Sequence, residues 1–224
     1  DDGVNATALT RALNVAVHQN LDLLFLPYEI GFVADDGRVT KVRGPWDGDA
    51  RVFRATDHIK RAAFTLVNYP WNRLVRTDLM RDQGVNFGPT KVHNDILFHW
   101  TSIAAATRVS LFNETVCRHF KFNTGKQLTN VATEARLQVL DAVDITFRHL
   151  QRWDFCAVAE FGTAWNKFVQ TLLSWAKSRV PPELQPTYKR RSQATLKVRL
   201  CKASTTVTRS NSRGAGSAGA RRFG

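Results

Sequence analysis

The chain has 224 residues, with 32 Lys and Arg against 19 Asp and Glu and a formal net charge of +13. That length suits one domain with appendages, and a 43% hydrophobic content with 14 Phe and 6 Trp is enough for a substantial core. No apolar run approaches the roughly 18 residues a membrane span needs, so no membrane partner is expected.

Residues 7 to 25 place Leu9, Ala12, Leu13, Ala16, Asn20 and Leu24 on one helical stripe, with Asn5 or Thr7 as cap. Pro27 ends it. Between Tyr28 and Arg43, two apolar runs flank Asp35-Asp36-Gly37, which reads as a β-hairpin. Asp57 then caps a helix carrying Ile59, Ala62, Ala63, Leu66 and Val67. Pro70 breaks it, and Trp71, Leu74, Val75 and Leu79 open a second. From Thr90, the residues Val92, Ile96, Trp100, Ile103 and Ala104 predict a long helix reaching toward Cys117.

The strongest periodicity runs from Leu128 to Leu150, with Val131, Ala135, Val139, Val143 and Phe147 on one face. A second stripe, Ala157 to Ala176, follows a break near Arg152-Trp153-Asp154, and Pro181-Pro182 ends the helical body. Thr195 to Leu200 alternates apolar and polar residues, which predicts a lone strand with a basic face. The expected fold is therefore mainly α: a helical bundle of about five to seven helices, a small β-hairpin at about 28–43, and an extended basic C-terminal tail. The expected division is a body over 1–187 and an arm over 188–224.

Cys117, Cys156 and Cys201 are odd in number and far apart, and the first two lie in apolar, helical contexts. Buried, reduced thiols are expected rather than a disulfide framework. The only Met is Met80 and the chain opens on Asp1-Asp2, which reads as a processed or partial start.

No catalytic motif stands out. The six histidines are scattered, Cys117-Arg118-His119 lacks the paired spacing of a tetrahedral zinc site, and no metal or cofactor is expected. Gly214 to Gly219 matches GxGxxG, but no helix follows to receive a pyrophosphate. The pairs Asp35-Asp36, Asp78/Asp82 and Asp141/Asp144 read as turn chemistry and solvated helix faces. An enzyme would need a polar pocket joining His93 or His99 to a carboxylate. Nothing in the sequence alone reveals one, so the chain is read as a non-enzyme.

Charge is the clearer signal. Residues 188–224 hold ten Lys or Arg and no acid: Lys189, Arg190, Arg191, Lys197, Arg199, Lys202, Arg209, Arg213, Arg221 and Arg222. An extended chain with cations spread this way suits a phosphate backbone tracked without base readout. Arg118, Lys121, Phe122 and Lys126 interleave cations with an aromatic at an expected helix end, a further RNA-binding candidate.

The layout is similar in architecture to the coat proteins of rod-shaped and filamentous RNA viruses. The expectation is an RNA-binding coat or nucleocapsid subunit that assembles with copies of itself in the virion or host cytoplasm. The alternative is a ribosomal or other ribonucleoprotein subunit, of the mitochondrial ribosome for example.

Overall fold

A computed structural model describes residues 2–44, 46, 59–122 and 133–202 of the chain. Lys126, Arg209, Arg213, Arg221 and Arg222 lie outside the described residues. The fold is not a helical bundle. Among the described residues, two mixed sheets of four and three strands stand with the helices packed against them.

Strand β1 is Gly3–Val4, and helix α1 follows over Ala6–His18. Asn5 caps α1, its Oδ1 accepting from the Ala8 amide at 3.1 Å. The helix stops well short of residue 25, because Asn20 takes a positive φ of 50° and turns the chain into a strand. That strand, β2 (Leu23–Phe25), is fully buried. Its three residues are too few to show a two-residue period, and their apolar run continues the helical stripe before it.

Strands β3 (Tyr28–Val33) and β4 (Val39–Arg43) form an antiparallel hairpin, turned at Gly37 with φ 82°. Helix α2 (Ile59–Ala63), strand β5 (Arg73–Val75) and helix α3 (Thr77–Asp82) come next. Helix α4 spans Asp95–Ala105, and every residue from Ile96 to Ile103 is buried. It is a central helix, covered on all sides.

Past Ala106 the expected long helix gives way to β6 (Val109–Leu111) and β7 (Cys117–Phe122). The β-branched residues Thr107, Val109, Thr115 and Val116 favour an extended chain here. The larger sheet runs β1-β7-β3-β4, with β3 and β7 parallel. The smaller runs β5-β2-β6, with β2 antiparallel to β5 and parallel to β6.

A 3-10 turn at Glu134–Leu137 leads into helix α5 (Gln138–Leu150), and helix α6 spans Ala159–Lys177. Trp100 of α4 and Trp165 of α6 are completely buried and meet edge to face at 5.0 Å. Phe64, Phe155 and Phe168 close the cluster around Trp100. Edge-to-face pairs of this kind contribute about 1 kcal/mol each beyond the area they bury.

Helix α7 (Gln185–Val198) occupies the start of the expected extended arm, and the expected strand over 195–200 is not formed. The reason is packing. Tyr188 is buried and donates its hydroxyl to the Leu173 carbonyl at 2.6 Å, and Leu196 packs against the core. Acids on α5 take up basic charge, with Arg191 bonded to Asp141 at 2.7 Å and Arg199 paired with Asp144. The expectation of three reduced thiols also fails. Cys156 and Cys201 form a disulfide with Cα atoms 5.2 Å apart, and Cys117 alone is free and buried. Forty-five residues separate the two cysteines, a distance that only the tertiary fold closes.

One buried carboxylate ties the smaller sheet together. Asp22 accepts hydrogen bonds from the Thr107 amide and hydroxyl at 2.9 and 2.6 Å and from the Arg108 amide at 2.9 Å. Arg76 and Arg108 pair with its other oxygen at 2.9 and 3.0 Å. Burial pushes its pKa up, but the Thr107 hydroxyl, the two amides and the Arg76 charge outweigh that and hold it at about 2.

Removing the charge leaves two arginines facing a neutral amide. Asp22→Asn is expected to lower stability by about 3 kcal/mol at pH 7. A depressed pKa gives stability that is present above the unfolded value of 3.8 and lost as pH falls through about 2. Urea unfolding from pH 7 to pH 2 should therefore show wild type and variant converging only at the acid end.

Candidate functional site

The candidate site is a cleft of about 400 Å³ lined by Tyr69, Pro70, Trp71, Lys91 to Asp95, His119, Arg136 and Trp175. Its size falls in the range of small-molecule sites. Five chain segments far apart in sequence build it. The loop into β5 supplies Tyr69 and Trp71, the start of α4 supplies His93 to Asp95, and the far wall comes from the 3-10 turn and α6.

The near wall is aromatic. Tyr69 and Trp71 stack at 4.7 Å with an interplanar angle of 17°. The ring of His119, from β7, lies 5.4 Å from Trp71. Buried Tyr28 props both rings edge-on from behind, at 5.6 and 5.2 Å. The alternation of β7 turns His119 toward this wall, where its Nδ1 lies 2.7 Å from Asp2 Oδ1.

Asp95 opens α4 at the floor of the cleft. Burial raises the pKa of its carboxyl to about 6, against the pull of the first-turn amides and of the Arg73 charge. Arg73 is almost wholly buried beneath the floor. It donates to Asn72 Oδ1, to the Tyr69 carbonyl at 3.1 Å and to His99 Nδ1 at 3.0 Å, and its guanidinium lies 4.8 Å from the Phe25 ring centroid. Burial lowers the pKa of Arg73 to about 9 and that of His99 well below its usual value. A neutral His99 therefore accepts from a charged Arg73 at neutral pH.

His93 stands beside Asp95 with a positive φ of 62°, a conformation uncommon for a residue with a Cβ. Its Nε2 accepts from Arg136 at 2.9 Å, which leaves Nδ1 as the protonated nitrogen. Burial, then the Arg136 charge, lowers its pKa to about 4, so it is neutral at pH 7. Trp175 closes the far wall, edge-on to His93 at 5.8 Å. Among the described residues no three His, Cys, Asp or Glu side chains gather as a metal site would require.

The residues singled out for charge lie elsewhere, with one neighbour in the wall. Arg118 and Lys121 are on strand β7, not at a helix end, and Arg118 forks onto Glu29 at 2.9 and 2.7 Å. Phe122 closes the same strand and is exposed. Lys189, Arg190, Arg191 and Lys197 are on α7, Arg199 follows it, and Lys202 is exposed beyond the disulfide. None of these residues lines the cleft.

Sequence reasoning missed Asp95, Trp71, Arg136 and Trp175. The one signal was the condition set for an enzyme, a polar pocket joining His93 or His99 to a carboxylate; the structure places His93 and Asp95 in one cleft, but that cleft is lined mainly by apolar surface.

No protein-family model matches the chain, and no curated protein matches it. Solved structures do. S. aureus TarS 1–349 in complex with UDP-GlcNAc gives a TM-score of 0.41 at 16% identity, covering 88% of this chain and 62% of that one. The same fragment with UDP gives 0.38 at 16% identity, covering 88% and 61%. A longer TarS structure gives 0.37 at 14% identity, covering 87% and 37%. The chain thus spans less than two thirds of each, and at TM-scores below 0.5 the likeness carries no argument for function.

The findings nevertheless correct the sequence reading. The mixed α/β fold replaces the helical bundle on which the likeness to capsid and nucleocapsid proteins, and the ribonucleoprotein alternative, were built. Among the described residues, the first part of the expected basic arm is helix α7, which packs on the body. The non-enzyme expectation rested on the want of a pocket in the sequence reading, and the structure has a cleft that gathers His93, Asp95 and Arg136.

The raised pKa of Asp95 has a stability consequence. A carboxyl whose folded pKa of about 6 exceeds the unfolded 3.8 favours folding below pH 4 and loses that contribution as pH rises through 6. Asp95→Asn is therefore expected to be more stable than wild type at pH 7, by up to about 3 kcal/mol, and equal to it near pH 4. Thermal unfolding at the two pH values checks this.

Proposed function

We propose that the cleft is an enzyme active site in which Asp95 acts as general base toward a hydroxyl of a ring-shaped, carbohydrate-like substrate. The observation that carries this reading is the position of Asp95: a partly buried carboxyl on the floor of an aromatic-walled cleft, with a pKa close to working pH. A carboxylate that burial makes more basic, yet that is ionised at pH 7, is suited to taking a proton from an alcohol.

The rest of the cleft supports the same substrate class. The stacked Tyr69 and Trp71 present a flat apolar wall, the kind of surface on which the C–H face of a sugar ring rests. His93 offers Nδ1–H as a neutral donor, and Asn94 and His119 add polar groups that can orient hydroxyls.

In the proposed step the substrate O–H bond breaks and its proton passes to an Asp95 carboxylate oxygen. The oxygen's electron pair forms a bond to an electrophilic carbon of a second, activated substrate. The leaving group departs from that carbon with its own electron pair. Arg73, beneath the floor, keeps Asp95 from rising further in pKa and so keeps it ionised at pH 7. An activated sugar is the natural second substrate, and UDP-GlcNAc, held by the TarS fragment, is a practical first donor to assay.

Transfer from UDP-GlcNAc to a panel of sugars and polyols should rise with pH through about 6 in the kcat/KM profile. Asp95→Asn should lower kcat by roughly 10²–10⁴-fold with little change in KM, whereas Trp71→Ala should act mainly on KM. Full activity in Asp95→Asn would exclude the carboxyl as base.

A further inference from the structure

We propose that His119, held by Asp2, reads one hydroxyl of the substrate ring, its Nε2 accepting a hydrogen bond from a hydroxyl other than the one that loses its proton to Asp95. This rests on the reading of the cleft as the site of a carbohydrate-like substrate. Within that site it makes His119 a specificity-determining residue and Asp2 its positioning residue.

The two ring nitrogens of His119 have different surroundings. Nδ1 lies 2.7 Å from Asp2 Oδ1, and the same oxygen accepts from the Phe120 amide at 3.1 Å. Asp2 Oδ1 is thus an acceptor on both sides, and the proton between it and the imidazole belongs to Nδ1. With one proton on the ring, Nε2 carries a lone pair and accepts. Among the described residues Nε2 has no hydrogen-bond partner, and His119 lines the cleft.

The pleat of β7 keeps other charges away from the ring. Arg118 and Phe120 point to the opposite face of the sheet, where Arg118 is bonded to Glu29. Cys117 shares the His119 face but is buried, and burial, then the Asp2 charge, push its thiol pKa up, so it stays protonated at pH 7. His93, also in the cleft, has the reverse polarity, because Arg136 donates to its Nε2 and leaves Nδ1–H as a donor. The cleft thus meets a sugar with one imidazole acceptor and one imidazole donor.

A sugar lying with its C–H face on Tyr69 and Trp71 directs its equatorial hydroxyls along the wall, not into it. A side chain that reads such a hydroxyl must stand beside the two aromatic rings. The His119 centroid lies 5.4 Å from that of Trp71 and 5.7 Å from that of Tyr69, with the planes tilted by 31° and 45°. Asp2 already holds the imidazole, so the bond to substrate costs little further ordering. Docking of the ring strips water from Nε2, and a ligand without the hydroxyl leaves that acceptor unpaired.

The test is NMR titration of the isotopically labelled protein at pH 8 with methyl β-glucoside, its monodeoxy analogues and the matching deoxyfluoro analogues, which requires no turnover. Loss of one particular hydroxyl should weaken binding about tenfold. The deoxyfluoro analogue at that position should be equally weak, because fluorine cannot donate. In His119→Phe, which keeps a ring beside Trp71, the contribution of that hydroxyl should shrink to within about twofold. Asp2→Ala should lose part of it, about threefold, and Asp2→Asn, whose Oδ1 can accept both bonds, should retain it. Asp95→Asn should keep the hydroxyl preference, so a failed base in the transfer assay is told apart from a failed hydroxyl reader. Three results would overturn the proposal: no saturable binding of methyl β-glucoside, a deoxyfluoro analogue as tight as the parent at every position, or a preference that survives in a folded His119→Phe. Should His119→Phe fail to fold, survival of the full preference in Asp2→Ala overturns it instead.

Discussion

The fold turns on the carboxylate of Asp22. It sits at the corner where three strands and the end of α4 converge, and it is nearly inaccessible to solvent. An isolated buried charge there would be costly, and it persists because every side of it is met by a donor or a cation. Arg76 reaches it from the end of β5, and Thr107 and Arg108 reach it from the turn before β6. Lys60 completes the corner by donating to the carbonyls of Ala104 and Ala106, the open end of α4.

Fixing the C-terminal end of α4 fixes its N-terminal end. The helix is buried along its length and has no freedom to tilt, so Asp95 is delivered to the floor of the cleft by the same contacts that close the smaller sheet. Beneath that floor the core is charged rather than purely apolar. Arg73, His99 and Asn72 form a bonded group under the aromatic loop, with Arg73 lying on Phe25 and the Asn72 amide nitrogen buried without a partner among the described residues. The charge of Arg73 reaches Asp95, where it opposes the rise in pKa that burial causes.

The C-terminal region shows how context reassigns charge. Arg191 and Arg199 meet acids of α5, Trp165 donates to the Arg199 carbonyl, and Asn166 bonds Cys201 through both backbone groups. The disulfide to Cys156 closes the same junction. Basic residues that read as an arm for an external polyanion are thus partly spent in attaching a helix to the body.

The sequence by itself determined the elements whose signal is local. The Asn5 cap, the turn at Gly37 between two apolar runs, and the stripes that became α5 and α6 follow from side-chain preferences within a few residues. Tertiary structure alone decided the sheets built from Leu23–Phe25, Arg73–Val75 and Val109–Leu111. Each is three residues long, too short to display a period, and becomes a strand only because a distant partner completes its hydrogen bonds. The cleft is of the same kind. Asp95 looks like any acid in the first turn of a helix until burial beside Arg73 changes its pKa. In sequence Trp71 and Trp175 look like core residues and Arg136 like a solvated cation, and the fold brings all three to one cavity. Burial and charge environment are properties of the packed molecule, and no window of sequence contains them.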